Sequence, residues 1–231
     1  MVIVPKPLPC DGHTMNETEP LRPPTGDVTT GKSAPLIVVR HGESEWNVLG
    51  KWQGRADTRL TVAGRAQAVE AADRLMTLGI RVDQVVASSL SRARETGEII
   101  AGRLGIAAPL IDERLVETDV GPWEGLREHE IEEKYPNFLR DRRTPANFEL
   151  PDAVFARAAE ALREWSGVQA HVLIVSHSGV LRTIRRVLKV HDRRLHNLEG
   201  CYFSFDETGR LVAGDFVSLA LHARATTNDS V

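Results

Sequence analysis

Two histidines and two arginines stand where short apolar runs of this sequence end. Arg40-His41 closes one run, His177 follows a second, and Arg92 comes shortly after a third. Apolar runs of this length are typical of buried parallel strands, and sites in open α/β sheets form at the carboxyl ends of the strands. We therefore expect these four side chains to meet at one edge of a sheet.

Two histidines and two arginines that lie together are suited to few reactions. Guanidinium groups match phosphate oxygens and stay charged at any working pH. A neutral imidazole is a competent nucleophile toward phosphorus, and a second imidazolium can stabilise charge on the transferring group. Phosphoryl transfer mostly needs positioning and positive charge around the equatorial oxygens, which these residues supply without magnesium. The sequence has neither a P-loop pattern nor an Asp-rich metal cluster, so we expect no metal and no cofactor.

The elements that must position these residues alternate along the chain. Thr61 is placed to cap a helix that Gly79 ends, Gly105 follows the next helix, and Asp152 is placed to cap a later one. Helices are predicted over 62–78, 92–104, 126–143, 153–166 and 179–189, and strands over 36–39, 82–87, 172–175 and, as a final pair, within 201–220. This alternation predicts an α/β fold: a three-layer sandwich with a mostly parallel central sheet and helices on both faces.

The chain of 231 residues is long enough for one large domain, predicted over 35–222. Residues 1–34 are proline-rich and show no helical or strand period, so we expect a disordered extension there, with a disordered tail over 223–231. Met15 lies inside the extension and is a second candidate for the start of translation.

Composition excludes several classes of function. The formal net charge is −3, and the arginine pairs are scattered rather than gathered in a basic block, so we expect no nucleic-acid partner. No apolar run approaches the roughly 20 residues of a membrane span, and the N-terminus is a poor signal peptide. Cys10 and Cys201 fit neither a disulfide scaffold nor a zinc site. These features favour a soluble cytoplasmic protein without a membrane partner.

Five segments in order resemble the histidine phosphatase superfamily, the cofactor-dependent phosphoglycerate mutase-like group. The opening segment, Arg-His-Gly-Glu-Ser-Glu-Trp-Asn, looks like the signature of that family. An Arg-His-Gly triplet alone would be weak evidence, whereas five segments in the right order are strong evidence. The segments are 40–47, 53–68, 88–96, 115–125 and 176–177, and the resemblance covers about 36–215.

The resemblance implies a role for each matched position. His41 corresponds to the nucleophile and Glu117 to the general acid, whose proton affinity should rise near the negative charge of a phosphate. The other matched residues would surround the phosphoryl group: Arg40, Asn47, Gln53, Gly54, Arg92, His177 and Ser178. Ser178 stands where the family usually has glycine.

Departures from the family pattern reduce the number of candidate reactions. Mutases of the group carry an arginine and a tyrosine after the general acid, with a longer basic insertion, whereas this chain has Thr118-Asp119-Val120. The resemblance therefore favours a phosphatase, with a phosphoglycerate-type mutase or a non-catalytic phosphate-binding protein as alternatives. Glu149 lies eight residues before Arg157, and this spacing predicts that the two side chains pair as a structural brace.

The substrate is expected to be a small phosphorylated metabolite, and the sequence does not distinguish sugar phosphates, phosphoglycerates, phosphoserine or a nucleotide-loop phosphate. Arg140, Arg142 and Arg143 are either a solvated helix end or a site for a second anionic group of the substrate. A homodimer is possible.

Overall fold

The computed structural model describes residues 34–220, which build one six-stranded sheet in the order β3-β2-β4-β1-β5-β6. The strands β1 to β4 pair in parallel, and β5 and β6 are antiparallel to their neighbours. The bounds of the strands are β1 Leu36–Arg40, β2 Gln84–Ala87, β3 Leu110–Ile111, β4 Val172–Ser176, β5 Glu199–Phe205 and β6 Leu211–Ser218.

Helices cover both faces of the sheet. Alternate residues of a strand face opposite sides, so Ile37 and Val39 pack against α2 and α3, whereas Leu36 and Val38 pack against α5 and α6. The predicted three-layer α/β fold is confirmed. The bounds of the helices are α1 Glu45–Val48, α2 Val62–Thr77, α3 Ser91–Leu104, α4 Glu128–Lys134, α5 Pro151–Ser166 and α6 Ser178–Val187.

The two central strands, β1 and β4, bring the two histidine segments together. They pair in parallel with Arg40 opposite Ser176, and the His41 N–H donates to the Ser176 carbonyl at 3.0 Å. Parallel neighbours end at the same edge, so the residues that follow them, His41 and His177, are delivered side by side.

Several predicted element ends are confirmed. The Thr61 hydroxyl accepts from the Gly64 N–H at the start of α2, and Gly79 and Gly105 follow their helices with positive φ. The helix predicted over 126–143 is wrong in length, because α4 ends at Lys134 and Tyr135 precedes Pro136, which disfavours helical backbone. The cap predicted at Asp152 is also wrong: α5 begins at Pro151, which leaves Asp152 inside the first turn.

Two short elements, α1 and β3, were not predicted from the sequence. The tail predicted over 223–231, and the extension predicted over 1–34 apart from residue 34, lie outside the described residues, as do the last two residues of the predicted domain. None of the helices in the described part of the chain combines the length and apolarity needed to span a membrane.

Candidate active site

His41 is held in one orientation by its own backbone neighbours. Its side chain is 2% exposed, and its Nδ1 lies 2.6 Å from the Gly42 carbonyl oxygen. A carbonyl only accepts, so Nδ1 carries the proton and the lone pair of the ring is on Nε2. The Arg92 Nε–H donates to that Nε2 at 3.2 Å. The unprotonated nitrogen of the ring therefore faces a guanidinium group.

Arg92 is fixed by a loop as well as by its helix. It lies in the first turn of α3, and its two terminal nitrogens donate to the carbonyls of Ala56 at 2.7 Å and Gly54 at 2.9 Å. Asp57, from the same loop, accepts from the N–H and hydroxyl of Ser91, the first residue of α3. The loop thus sets both the start of the helix and the direction of the Arg92 side chain.

Arg40 and His177 complete the surroundings of His41. Arg40 is 2% exposed and donates to the Leu195 carbonyl at 2.8 Å. His177 is fully buried, its ring centroid lies 5.2 Å from that of His41, and its Nε2 is 2.8 Å from the Ser88 hydroxyl. Its Nδ1 has no hydrogen-bond partner among the described residues.

Burial and positive neighbours control the protonation of both imidazoles. Burial lowers the pKa of His41 well below its ordinary value, and the charges of Arg92 and Arg40 lower it further. Burial, Arg92 and His41 do the same to the pKa of His177. Burial also lowers the pKa of Arg92, to about 10, which leaves it charged at neutral pH. In the free protein both imidazoles are therefore neutral, so the imidazolium expected from the sequence at His177 requires the negative charge of a bound phosphoryl group.

Glu117 contacts the start of α6. It follows the 3₁₀ turn Glu113–Leu115, and its carboxylate accepts from the Thr118 N–H at 2.7 Å and the Gly179 N–H at 3.1 Å. A side chain at Gly179 would collide with this carboxylate, so the glycine makes the close approach possible. Glu117 is half-buried and its charge favours the protonated form of Arg92, which places it near the guanidinium.

The remaining predicted residues differ in how closely they join this group. Asn47 is buried, and its side-chain oxygen accepts from the Ser44 N–H at 3.0 Å. Gln53 accepts from the Ser44 hydroxyl at 2.9 Å, and Gly54 contributes the carbonyl that holds Arg92. Ser178 is the first residue of α6, directly after His177. Within residues 34–220, no group of three or more His, Cys, Asp or Glu side chains is placed to hold a metal ion.

Comparison with known proteins places this arrangement in a family. The family described as Histidine phosphatase superfamily (branch 1) matches residues 36–208. The chain belongs to the histidine phosphatase superfamily. It is 33% identical over 174 residues to phosphoglycerate mutase-like protein 4 of Arabidopsis thaliana, an alignment that covers 71% of this chain and 75% of that protein. It is 32% identical over 170 residues to glucosyl-3-phosphoglycerate phosphatase of Mycobacterium tuberculosis, with coverages of 66% and 74%.

Solved histidine phosphatase structures have the same fold. Mycobacterial glucosyl-3-phosphoglycerate phosphatase complexed with VO3 superposes with a TM-score of 0.68 at 27% identity, covering 80% of this chain and 99% of that one. A phosphoserine phosphatase mutant from Entamoeba histolytica, in complex with phosphoserine, superposes with a TM-score of 0.66 at 28% identity, covering 80% and 97%. Members of the superfamily similar to this chain thus include phosphatases and mutase-like proteins.

Three residues that contact members of this group of site residues were not predicted. Asn197 donates to the His41 carbonyl at 2.9 Å and to the Asn47 side-chain oxygen at 3.3 Å. The Thr96 hydroxyl accepts from the Gly42 N–H at 3.0 Å, and Ser88 pairs with His177. Asn197 is 156 positions from His41 along the chain, and no local pattern links the two. Ser88 and Thr96 could have been predicted as site residues from the sequence, since both lie within the segment around Arg92.

The predicted brace between Glu149 and Arg157 is confirmed, and it holds the backbone of the general-acid candidate. Arg157 donates to the Glu149 carboxylate at 2.8 and 3.1 Å. It also donates to the carbonyls of Arg114 at 2.7 Å, Val116 at 2.6 Å and Glu117 at 3.2 Å. One guanidinium therefore ties α5 to the segment that carries Glu117.

We expect Arg157→Met to lower the free energy of unfolding by about 3 kcal/mol, because it removes the guanidinium that donates to a largely buried carboxylate and to three carbonyls. The measurement is urea denaturation at neutral pH. Arg163→Met is the matched control: it lies on the same helix, is exposed, and donates to the Gly209 carbonyl. Equal losses of stability in the two variants would contradict the brace.

Proposed function

We propose that this protein is a metal-independent phosphatase that hydrolyses a small organic phosphate monoester through a phosphohistidine formed at His41. The observation that carries the proposal is the state of the His41 ring. Its proton is fixed on Nδ1 by the Gly42 carbonyl, and its Nε2 lone pair points at the Arg92 guanidinium, where a phosphate anion would bind.

In the first half of the reaction, His41 Nε2 attacks phosphorus and the bond between phosphorus and the ester oxygen breaks. Arg40, Arg92 and His177 surround the position of the equatorial oxygens and stabilise their charge. Glu117 gives its proton to the departing oxygen, so that the alcohol leaves neutral. The products of this half are the alcohol, phospho-His41 and the Glu117 carboxylate.

In the second half, the Glu117 carboxylate takes a proton from water, and the water oxygen attacks the phosphorus of phospho-His41. The bond between phosphorus and Nε2 breaks and inorganic phosphate is released. His41 regains its lone pair and Glu117 its proton, so the same two groups serve both halves.

The residues after Glu117 favour hydrolysis of the phosphoenzyme over transfer of the phosphoryl group to an alcohol, which is the reaction of a mutase. The arginine and tyrosine of the mutases are replaced by Thr118, Asp119 and Val120. The Asp119 carboxylate is engaged locally, since it accepts from the Gly121 N–H at 2.8 Å. Similar proteins named as glucosyl-3-phosphoglycerate phosphatase and phosphoserine phosphatase support the same reaction.

A panel of phosphate monoesters assayed for released inorganic phosphate tests this function. The panel contains p-nitrophenyl phosphate, phosphoserine, 3-phosphoglycerate and sugar phosphates. We expect stoichiometric phosphate release from at least one of them, with no transfer of labelled phosphate to added alcohols. Conversion of 3-phosphoglycerate to 2-phosphoglycerate without phosphate release would identify a mutase, and binding of phosphate with no turnover of any ester would identify a binding protein.

We expect hydrolysis of p-nitrophenyl phosphate to persist in excess chelator, because guanidinium and imidazole groups supply the positive charge that the transferring group needs. The measurement compares initial rates before and after prolonged dialysis against the chelator. A magnesium-dependent phosphatase treated in the same way is the control. A loss of activity that only a divalent cation restores would contradict metal independence.

A further inference from the structure

Helix α2 carries a row of exposed apolar side chains. Of the ten large apolar side chains that are exposed among the described residues, four lie within 62–78. Three of these stand seven positions apart: Val62 is 83% exposed, Val69 39% and Met76 51%. Positions seven apart fall on one face of a helix, so the three side chains form a row about 21 Å long. Single exposed apolar residues are ordinary on a monomer, whereas a row of them marks a contact surface.

This row is distinct from the face that α2 packs against the sheet. The packed face contains Ala68, Ala71, Ala72 and Leu75, all fully buried. A helix on the surface of a globular protein typically has one apolar face, whereas α2 has two. The three core clusters of the described residues do not include the exposed row, so whatever covers it must come from outside residues 34–220.

Two ion pairs with α3 accompany the row. Arg65 pairs with Glu95 at 2.6 Å. Asp73 pairs with Arg103 at 2.7 Å. The four side chains keep between 29% and 52% of their surface exposed, so each has room for a further charged neighbour. Arg65 precedes Val69 by four positions and Asp73 follows it by four, so opposite charges lie at equal distances from the centre of the row.

The row is complementary to itself when two copies of α2 run antiparallel. A two-fold axis at Val69 sets residues that are equally far before and after Val69 opposite each other. Val62 then contacts Met76 of the second copy, and Val69 contacts its own counterpart. Arg65 lies at the level of Asp73 of the second copy, so opposite charges meet on both sides of the axis.

The charges disfavour a parallel arrangement of the same two helices. In a parallel pair each residue meets its own counterpart, so Arg65 would meet Arg65 and Asp73 would meet Asp73. Like charges set against each other across an interface oppose association. The charge pattern of α2 thus selects the antiparallel pairing, which has the two-fold symmetry most common in soluble homo-oligomers.

We propose that this protein forms a symmetric homodimer through α2, with the two-fold axis at Val69. Association removes the apolar rows of both copies from water. It also extends the ion pairs into rows of alternating charge, in which Arg65 of one copy lies between its own Glu95 and Asp73 of the other. These pairs are partly exposed in the single chain, where such pairs contribute little to stability, and the partner shields them from water.

The strand β6 is the competing surface for a second copy. It ends the sheet, and its Val212 is 41% exposed, about as much as Val69. Asp215 is exposed on the same strand, and a charge on an edge strand opposes pairing with another strand. Val212 therefore provides a matched control for substitutions of Val69.

Analytical ultracentrifugation of the full-length protein at micromolar concentrations measures the oligomeric state. We expect the mass of two chains. Val69→Glu should raise Kd for dimerisation by about 100-fold or more, because two like charges then meet at the axis without water. Val212→Glu makes the same change at a site of similar exposure and should leave Kd unchanged.

A mixture of two variants locates the axis. Val69→Glu and Val69→Lys should each be monomeric alone, and an equimolar mixture should form a heterodimer, since unlike charges then meet at the axis. Added salt should weaken this heterodimer by screening the new pair. Recovery of the dimer requires that position 69 of one copy meets position 69 of the other. A different protein, or another segment of this chain, seated on the row would not produce it.

Val62→Glu tests the same contact with little risk to the fold. Val62 is the first residue of α2, where an acidic side chain favours the helix. This variant should also weaken the dimer while its far-UV circular dichroism stays that of the unmodified protein. The proposal would be overturned by a monomeric unmodified protein, or by a mixture of the two Val69 variants that stays monomeric. Dissociation by Val212→Glu while the α2 variants remain dimeric would equally overturn it.

Discussion

Replacing His41 with alanine should lower the turnover rate of every phosphate ester by roughly 10⁴-fold or more, because the variant lacks the covalent nucleophile. No other side chain of the described residues presents an imidazole nitrogen to Arg92 as His41 does. The same protein with His41 intact, quenched with denaturant during turnover, should carry phosphate that is labile in acid and stable in base. Peptide mapping should place that phosphate on His41.

The control for this substitution is His171→Ala. His171 stands at the opposite end of β4 from His177, is exposed, and pairs with Asp83 at 2.8 Å. The His171→Ala substitution removes an imidazole that lies outside the site, so normal turnover is expected. Phosphate trapped on a serine, or hydrolysis by the His41→Ala protein close to the normal rate, would disprove the covalent assignment.

The placement of the central residues could be predicted from the sequence because it depends on short-range patterns. Val39 and Val175 end short apolar runs that are buried over their whole length, and such runs are typical of parallel strands covered on both faces. Once β1 and β4 are parallel neighbours, the positions of His41 and His177 follow from where the strands end. The role of Thr61 as a helix cap is equally local, since its hydroxyl serves an N–H three residues away.

The surroundings of the site could not be predicted because they depend on long-range contacts between loops. Asn197 reaches His41 from the segment between α6 and β5, where Leu198 adopts a positive φ of 58°. The segment after α4 is irregular, with positive φ at Asn137, Arg142 and Asn147. The periodicity of the sequence predicts that the helix continues through this stretch. The irregular backbone is instead set by Pro136 and by packing.

The protonation state of His177 depends on its packing and could not be predicted from the sequence. A histidine near a phosphate site suggests an imidazolium, yet in the free protein burial and the neighbouring Arg92 keep its pKa well below the ordinary value. We therefore expect a positive charge on His177 only when a phosphate anion is bound. The cost of burying a charge depends on the packing around it, which no local pattern in a sequence records.

The last prediction concerns Glu117 and the dependence of the rate on the leaving group. An alkyl phosphate leaves as a poorly stabilised alkoxide, so Glu117→Gln should lower its rate of phosphoenzyme formation by about 10²–10⁴-fold. An aryl phosphate with a strongly acidic phenol needs little protonation, so the same step should fall far less. The measurement is the burst rate of phospho-His41 formation for both ester types in the two proteins.

Asp119→Asn is the matched control, because it alters a carboxylate two residues away that caps the Gly121 N–H. It should lower the rates for both ester types by the same small factor. Equal, large losses for the two ester types in Glu117→Gln would mean that Glu117 positions the phosphate and donates no proton. The next carboxylate to test would then be Glu124, whose Oε2 accepts from the Arg55 and Ala56 N–H groups at 3.0 and 2.9 Å. Because that loop holds Arg92 through Gly54 and Ala56, a movement of Glu124 towards the leaving oxygen would also disturb the position of Arg92.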